Sequence, residues 1–354
     1  MLITSRMIAA VSVAVLGATG LAAPARAASP SAASCPPRAT AVGYSDGLDK
    51  LVVDGMTVGG LSSIAWDARA GAWASTVDNH GTDPSRIWHF RDQLHPTVTG
   101  DPLVLRKPDG TPYDGTTADN EGLAILPSGD YLVSSETEPS IRIFGRDGVQ
   151  RSSLPVPARF AVAPAGQATA NATLEGLTIA PSGKRIIAAM EGALAGDTDA
   201  TLHRFLVYDQ GKHGAWGLVK QIAYRTGVGQ RVSEVAAYGR ESLLVMEASF
   251  DPATGNTIDL YAVKGLGHAP DVSGIVDLAS APALVLAKEP VADLVKCPTL
   301  GAPAREPQAN PLLDNFEGMA VTPRHHGATI TLISDDNFNA LQFTRLLTLT
   351  ARLP

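Results

Sequence analysis

One phrase returns five times along the chain: an acidic residue and a glycine, a short apolar run, a tight turn, a second run and another carboxylate. The clearest copies run from Asp119-Asn120-Glu121-Gly122-Leu123 to Glu136 and from Glu175-Gly176-Leu177 to Glu191. A third runs from Phe316-Glu317-Gly318 to Ser334-Asp335-Asp336-Asn337. Two have drifted, with Ser233-Glu234-Val235 leading to Glu247 and Leu61-Ser62-Ser63 leading to Asp78-Asn79. A unit this small cannot bury its own apolar face, so the copies must stack or close on one another.

Between the phrases lie further strand-like runs bounded by Gly, Pro, Asp and Asn, such as Arg86 to Phe90, Ser140 to Phe144, Leu202 to Tyr208 and Ile258 to Val263. Almost no segment has helical periodicity. Each unit supplies about four antiparallel strands, the content of one propeller blade. The anchors Ser62, Glu121, Glu175, Glu234 and Glu317 are spaced by 59, 54, 59 and 83 residues. The expected fold is therefore an all-β propeller of five four-stranded antiparallel blades, with room for a sixth in the last interval. Residues 265–313, rich in Pro, Ala and Gly, read as an excursion over one face, and Ile275 to Leu278 within them reads as a further strand-like run. The last unit lacks a fourth strand, which Lys50-Leu-Val-Val-Asp54 could supply from the N-terminal side. Closing the ring in this way removes open sheet edges.

Arg6, the apolar run Met7 to Ala23 and Ala25-Arg26-Ala27 have the order of a secretory signal peptide, so residues 1–27 are set apart from the fold. Residues 28–48 read as an N-terminal extension and 49–354 as the propeller domain. Without Arg6 and Arg26 the net charge moves from −7 to −9. So acidic a protein lacks the clustered Lys and Arg that nucleic acid demands, and no later run is long and apolar enough to span a bilayer. The expectation is a secreted monomer, free of the membrane after cleavage, acting on a small molecule. In that compartment the only two cysteines, Cys35 and Cys297, are expected to form a disulfide.

The first strand of a propeller blade lines the central channel, so Glu121, Glu175, Glu234 and Glu317 should converge on the axis as channel acids. The ends of the second strands give a second acidic set, Asp78, Glu136, Glu191, Glu247, Asp335 and Asp336. Carboxylates pressed together raise one another's pKa unless a cation neutralises them, and oxygen ligands of this kind suit Ca²⁺. A Glu at the start of a blade can equally serve as an acceptor for backbone N–H groups of the next blade. No nucleophile elbow, zinc motif, phosphate loop or dinucleotide fingerprint occurs, so no organic cofactor is expected. His80 is the one histidine placed near the acids. Arg86 and Arg142, at matching places on third strands, are expected to pair with acids across blades.

Asn120-Glu121-Gly122-Leu123, Leu174-Glu175-Gly176-Leu177 with Ala189-Met190-Glu191-Gly192, and Asn315-Phe316-Glu317-Gly318 with Ser334-Asp335-Asp336-Asn337 resemble the exported bacterial phytase-like family, "esterase-like activity of phytase". The resemblance covers about Gly60 to Leu349 and implies hydrolysis of a phosphoric or other ester. Joined to the acidic set, it gives the expectation of a Ca²⁺-dependent phosphoric ester hydrolase. The alternatives are a non-catalytic ligand- or protein-binding propeller with a structural cation, and a carbon-ester or lactone hydrolase.

Overall fold

The computed structural model describes residues 34–78 and 80–354, so the signal peptide and Asn79 lie outside the described residues. Five antiparallel sheets form the five blades of a propeller. Blade 1 is built from Ala65–Asp67, Ala72–Thr76, Arg86–Arg91 and Thr97–Val98, with Leu103–Val104 also paired to its third strand. Blade 2 comprises Asn120–Ile125, Tyr131–Ser135, Ser140–Phe144 and Gln150–Leu154; blade 3 comprises Leu174–Ile179, Arg185–Met190, Leu202–Gln210 and Trp216–Arg225. Blade 4 comprises Arg231–Gly239, Ser242–Asp251, Gly255–Lys264 and Lys288–Asp293. Blade 5 takes Phe316–Arg324, Gly327–Ser334 and Leu346–Ala351 from the C-terminal end and Ala39–Ser45 from the N-terminal end, with Ser34–Cys35 outermost.

The closing strand is thus Ala39–Ser45, paired from Ala39 opposite Ala351 to Ser45 opposite Leu346, and not Lys50 to Asp54. Alternation explains the choice. Ala39 and Ala41 are buried, and the strand lies between two partners, whereas Val52–Val53 forms a short ribbon with Met56–Thr57. Ser34–Cys35 and Ala39–Ser45 are thus part of blade 5.

The 265–313 excursion also divides, because Lys288–Asp293 inside it is the outer strand of blade 4 and Ile275 to Leu278 is not a strand. A sixth blade is absent among the described residues. The segment before Lys288 is held along blade 3 by a fully buried ion pair, Arg204 Nη2 to Asp197 Oδ1 at 2.7 Å. Arg204 donates to the Val272 and Ile275 carbonyls, and Asp197 accepts the Leu278 N–H. Arg86 and Arg142 meet Asp83 and Glu138 of their own blades rather than acids across blades.

The apolar core is divided by blade interface. One cluster joins blades 1 and 2 through Ile87, Leu123, Val133 and Phe144, another joins blades 2 and 3 through Leu132, Ile141, Leu177 and Ile186. Similar slabs join blades 3 and 4 through Ile187, Phe205, Val235 and Leu243, and blades 4 and 5 through Leu244, Leu260, Phe316 and Leu332. Leu61, Trp88, Phe90, Ile333 and Leu346 complete the circle between blades 5 and 1. No blade owns a core, so each is stable only between two neighbours.

Cys35 and Cys297 form the expected disulfide, across 262 residues of sequence. It fastens the outermost strand of blade 5 to the loop after blade 4. A cross-link closing so long a loop restricts the unfolded chain and stabilises by roughly 3–5 kcal/mol. Cys35→Ser should lower the free energy of unfolding by about that amount, measured by denaturant titration against the oxidised protein.

Candidate active site

The repeated phrase builds the same local feature in every blade, a bulge at the start of the inner strand. Asn120 faces Ser135 and Leu123 faces Val133, leaving Glu121 and Gly122 without partners. Glu175 with Gly176 and Glu317 are bulged in the same way, as is Ser62 with Ser63 between the Leu61–Val77 bridge and the Ala65–Ala74 pair. The bulge turns its first side chain toward the axis. Its glycine allows the next blade to approach: a Cβ on Gly122 would stand 2.4 Å from Leu177 Cβ and 2.6 Å from the Glu175 carbonyl oxygen.

Blade 4 breaks the spacing by one residue. There the bulge falls on Ser233, so Glu234 occupies the position of Gly176 and faces Met246. Its carboxylate turns back between blades, where Oε1 accepts the N–H groups of Leu177 at 2.9 Å and Val235 at 2.8 Å. Glu234 is a blade-to-blade acceptor and does not line the axial cavity. Burial pushes its carboxyl well above the usual range, against the two backbone donors. Glu247 is displaced by the same shift. It is buried away from the axis with Tyr224 Oη and Lys288 Nζ on one oxygen and the Gly227 N–H on the other. Asp336 also turns away, to Lys50 Nζ, the Gly60 N–H at 2.9 Å and the Phe338 N–H at 3.2 Å.

The remaining expected acids do converge. Asp78, Glu121, Glu136, Glu175, Glu191, Glu317 and Asp335 line one cavity of about 300 Å³ together with Asn171, Arg231, Asn315 and Asn337. Every one of these side chains is polar. Asp78 and Asp335 line it from blades 1 and 5, the two blades that ring closure makes neighbours. His80 does not line the cavity; its Nδ1 lies 2.8 Å from Asp83 Oδ2 and its ring stacks on Phe338 at 3.8 Å. A larger groove of about 950 Å³ runs past Arg38, Arg324 and Arg352 at the edge of blade 5, but Arg38 and Arg324 are already bonded to Glu289 and Thr329 there.

Three further residues of the site, Asp119, Arg231 and Asn315, share one place in the repeat. Two positions before each bulge stand Gly60, Asp119, Thr173, Arg231 and Asn315. The carbonyls of Gly60, Asp119, Thr173 and Asn315 accept the N–H of Asp78, Glu136, Glu191 and Asp335, which fixes all of them in one layer. Arg231 faces Ala248 in blade 4. Asp119 and Asn315 stand in the quoted phrases, and extending the blade 4 copy two residues upstream of Ser233 is the signal that finds Arg231.

Arg231 Nη1 donates to Glu175 at 3.0 Å and Glu191 at 2.9 Å, and Nη2 to Asn315 at 3.1 Å and Glu317 at 3.0 Å. Burial alone would lower its pKa; Glu317, Glu175 and Glu191 outweigh that and raise it. The acids respond in the opposite sense. Burial, then Glu175, Asp78, Glu317 and Asp119, push the Glu121 carboxyl well above the usual range. Burial, then Glu191 and Glu136, do the same to Glu175, with Arg231 opposing. Burial, then Glu317, raise Asp335, while burial raises Glu191 against Arg231. Glu136 is pushed up to about 8 by burial and Glu191, although its Oε1 accepts the Thr173 N–H.

Carboxylate oxygens of Asp78, Asp119 and Glu121 lie within 4.8 Å of one another, as do those of Glu121, Glu136 and Glu175. An all-oxygen donor set with this excess of negative charge fits a hard divalent cation.

Residues 56–338 match the family described as phytase-like, "esterase-like activity of phytase". The chain belongs to that family. No curated protein matches it. Among solved structures, it is similar to an α-L-arabinofuranosidase from Lactobacillus brevis, with 10% identity over 81% of this chain and 89% of that one, at a TM-score of 0.43. It is also similar to a PQQ-bound aldose sugar dehydrogenase from Streptomyces coelicolor, with 14% identity over 82% and 80% of the two chains and a TM-score of 0.39. Neither likeness bears on the activity of this chain.

Glu136 holds its proton more tightly folded, at about 8, than at the ordinary 4.5 of an unfolded chain. Its contribution to stability is therefore complete below pH 4.5 and lost as pH rises through 8. In chelator the melting temperature should fall across that window, and Glu136→Gln should make the fall shallower. An equally steep fall in the variant would remove Glu136 from the account.

Proposed function

We propose that this is an exported, cation-dependent hydrolase of phosphate esters acting at the axial cavity. The observation that carries the reading is the cluster of Asp78, Asp119 and Glu121, whose carboxylate oxygens stand within 4.8 Å of one another in a protein of the phytase-like family. Asp78, Asp119 and Glu121 would hold Ca²⁺ or a similar ion, with Glu136 beside them. Such an ion, when bound, polarises a phosphoryl oxygen and makes a coordinated water more acidic.

The chain supports the remaining steps. A wall made only of Asp, Glu, Asn and Arg side chains receives a hydrophilic group and offers no surface for an acyl chain, which favours a phosphate ester over an apolar carboxylic ester. Glu136 is suited to act as general acid, because burial and Glu191 keep its proton on at neutral pH. The Thr173 N–H holds one of its oxygens, leaving the other to deliver a proton to the departing alkoxide. Asn315 Nδ2 donates to Glu317 at 3.0 Å and so fixes a carboxylate on the opposite wall. Export is supported by the leader-like residues 1–27 and by the disulfide, which is the expected state of cysteines in an oxidising compartment.

The test is turnover of phytate, a simple phosphomonoester, a short carboxylic ester and a polar lactone by chelated protein, with and without Ca²⁺. Phosphate release that requires Ca²⁺ is expected, and Glu136→Gln should lower kcat by about 100-fold or more with KM little changed. Lactone opening without phosphate release would move the reading to carbon esters. A Ca²⁺-dependent rise in melting temperature with no turnover would leave a binding propeller with a structural ion.

A further inference from the structure

The groove at the edge of blade 5 carries a charge opposite to that of the chain. Arg38, Arg324 and Arg352 line it with His325 and His326, and among the described residues no Asp or Glu does so. Yet the net charge without residues 1–27 is −9. The three arginines come from distant stretches of sequence and are assembled by the pairing of N- and C-terminal strands in blade 5. We propose that this groove is a docking site for a linear, phosphate-bearing polyanion, separate from the axial cavity. Phe316–Arg324 runs from the cavity to the groove, a length of roughly 25 Å at about 3.3 Å per residue, so one small phosphate ester cannot occupy both.

The donors are held in place but not used up. The Arg352 N–H donates to the Arg38 carbonyl and the Arg38 N–H to the Val291 carbonyl, which fixes the two arginines side by side. The Arg352 side chain is exposed and makes no bond among the described residues. Arg324 commits only its Nε, to Thr329 Oγ1 at 3.0 Å, and keeps four hydrogens on its terminal nitrogens. Arg38 pairs with Glu289 at 3.0 Å, but these side chains are 39% and 46% exposed, and so exposed a pair contributes little. Glu289 also meets Lys264 at 3.3 Å, so it keeps a partner when Arg38 turns to a ligand. His325 Nδ1 and His326 Nε2 lie 3.1 Å apart, which leaves one ring nitrogen on each unbonded. Thr40 and Thr350, opposite each other in the sheet, add hydroxyls and keep the groove open with small side chains.

The chemistry of the lining selects the ligand. Every fixed positive charge lining the groove is a guanidinium, whose paired N–H groups match the two free oxygens of a phosphodiester. The groove, at about 950 Å³, is large for a single oxyanion and has room for successive units of a chain. No Phe, Tyr or Trp lines it, so a nucleobase finds no such ring to stack on. A phosphate chain without bases fits best. Docking at this end of blade 5 keeps the polymer's charge away from the axial carboxylates, which would repel it, and leaves the cavity mouth uncovered.

The experiment is equilibrium binding of the full chain to labelled inorganic polyphosphate, polyglutamate and a single-stranded DNA oligonucleotide, by fluorescence anisotropy in chelator. Chelation removes any binding bridged by a cation at the cavity, so the result does not depend on the hydrolase reading. Polyphosphate should bind most tightly, with Kd rising roughly tenfold or more between about 0.05 and 0.2 M salt. Arg324→Gln combined with Arg352→Gln should weaken it by about tenfold or more, with the melting temperature and any Ca²⁺-dependent turnover unchanged. No binding of polyphosphate, or equal binding by parent and double variant, would overturn the docking site. Polyglutamate bound as tightly would overturn the assignment to phosphate, and DNA bound more tightly would make the groove a nucleic-acid site instead. Arginine-dependent binding without turnover at the cavity would support the groove and sink the hydrolase reading alone.

Discussion

At the axis the inner strands of adjacent blades approach until backbone meets backbone, and the bulge makes this possible. A Cβ on Gly318 would stand 2.6 Å from the carbonyl carbon of Ser63, and one on Gly176 would stand 2.8 Å from the Val235 nitrogen. Small residues at the second bulge position therefore set how tightly the ring can close. The same bulge turns the preceding residue inward, so the fold and the site are two outcomes of one local distortion. Where the glycine is replaced, in blade 4, the substituting Glu234 remains buried because Gly176 opposite has no side chain and leaves the space its carboxylate fills.

That geometry creates an electrostatic problem. Carboxylates from four blades are taken out of water within a few ångströms, and each raises the proton affinity of the next. Three means of relief are visible. Backbone N–H groups reach Glu136 and Asp335, from Thr173 and Asn337. Crowding and burial push the Glu121 carboxyl well above the usual range, and Glu136, pushed up to about 8, keeps its proton at neutral pH. A guanidinium supplies the only permanent positive charge among the lining side chains.

Much of this was legible in the sequence, because repetition makes each copy a check on the others. The propeller, the five blades and the convergence of Glu121, Glu175, Glu317 and Asp335 follow from the recurrence and from the rule that inner strands line the axis. The errors have a common cause. Glu234 and Glu247 match the motif in letters, but a bulge one residue early shifts both off the axis, and a period-two strand sends a shifted side chain to the opposite face. Asp336 is adjacent to a true lining residue and fails for the same reason. Arg231 escaped because an arginine does not resemble the acids it replaces, although its place two residues before the bulge is shared with Asp119 and Asn315. The closing strand was misplaced because Lys50-Leu-Val-Val-Asp54 is the more hydrophobic segment. Pairing was decided instead by which segment could lie between Leu346–Ala351 and Ser34–Cys35.

Ring closure finally ties the site to the chain ends. Asp78 and Asp335 come from blades 1 and 5, which pack on each other through Leu61, Trp88, Ile333 and Leu346 while the N-terminal strand completes the last blade. Several links hold that seam. Arg345 is fully buried and grips Asp46 with two bonds, at 2.7 and 2.9 Å, while donating to the Pro303, Pro311 and Leu312 carbonyls. Lys50 reaches Asp336, whose other oxygen takes the Gly60 N–H, and the Gly60 carbonyl in turn receives the Asp78 N–H. Removing Asp46, whose side chain is 21% exposed, would leave the fully buried Arg345 charge without its carboxylate, at a cost of several kcal/mol, on the order of 3–5. A loosened seam would therefore be felt first at the axis, where Asp78 and Asp335 would separate before the slabs between the other blades were disturbed.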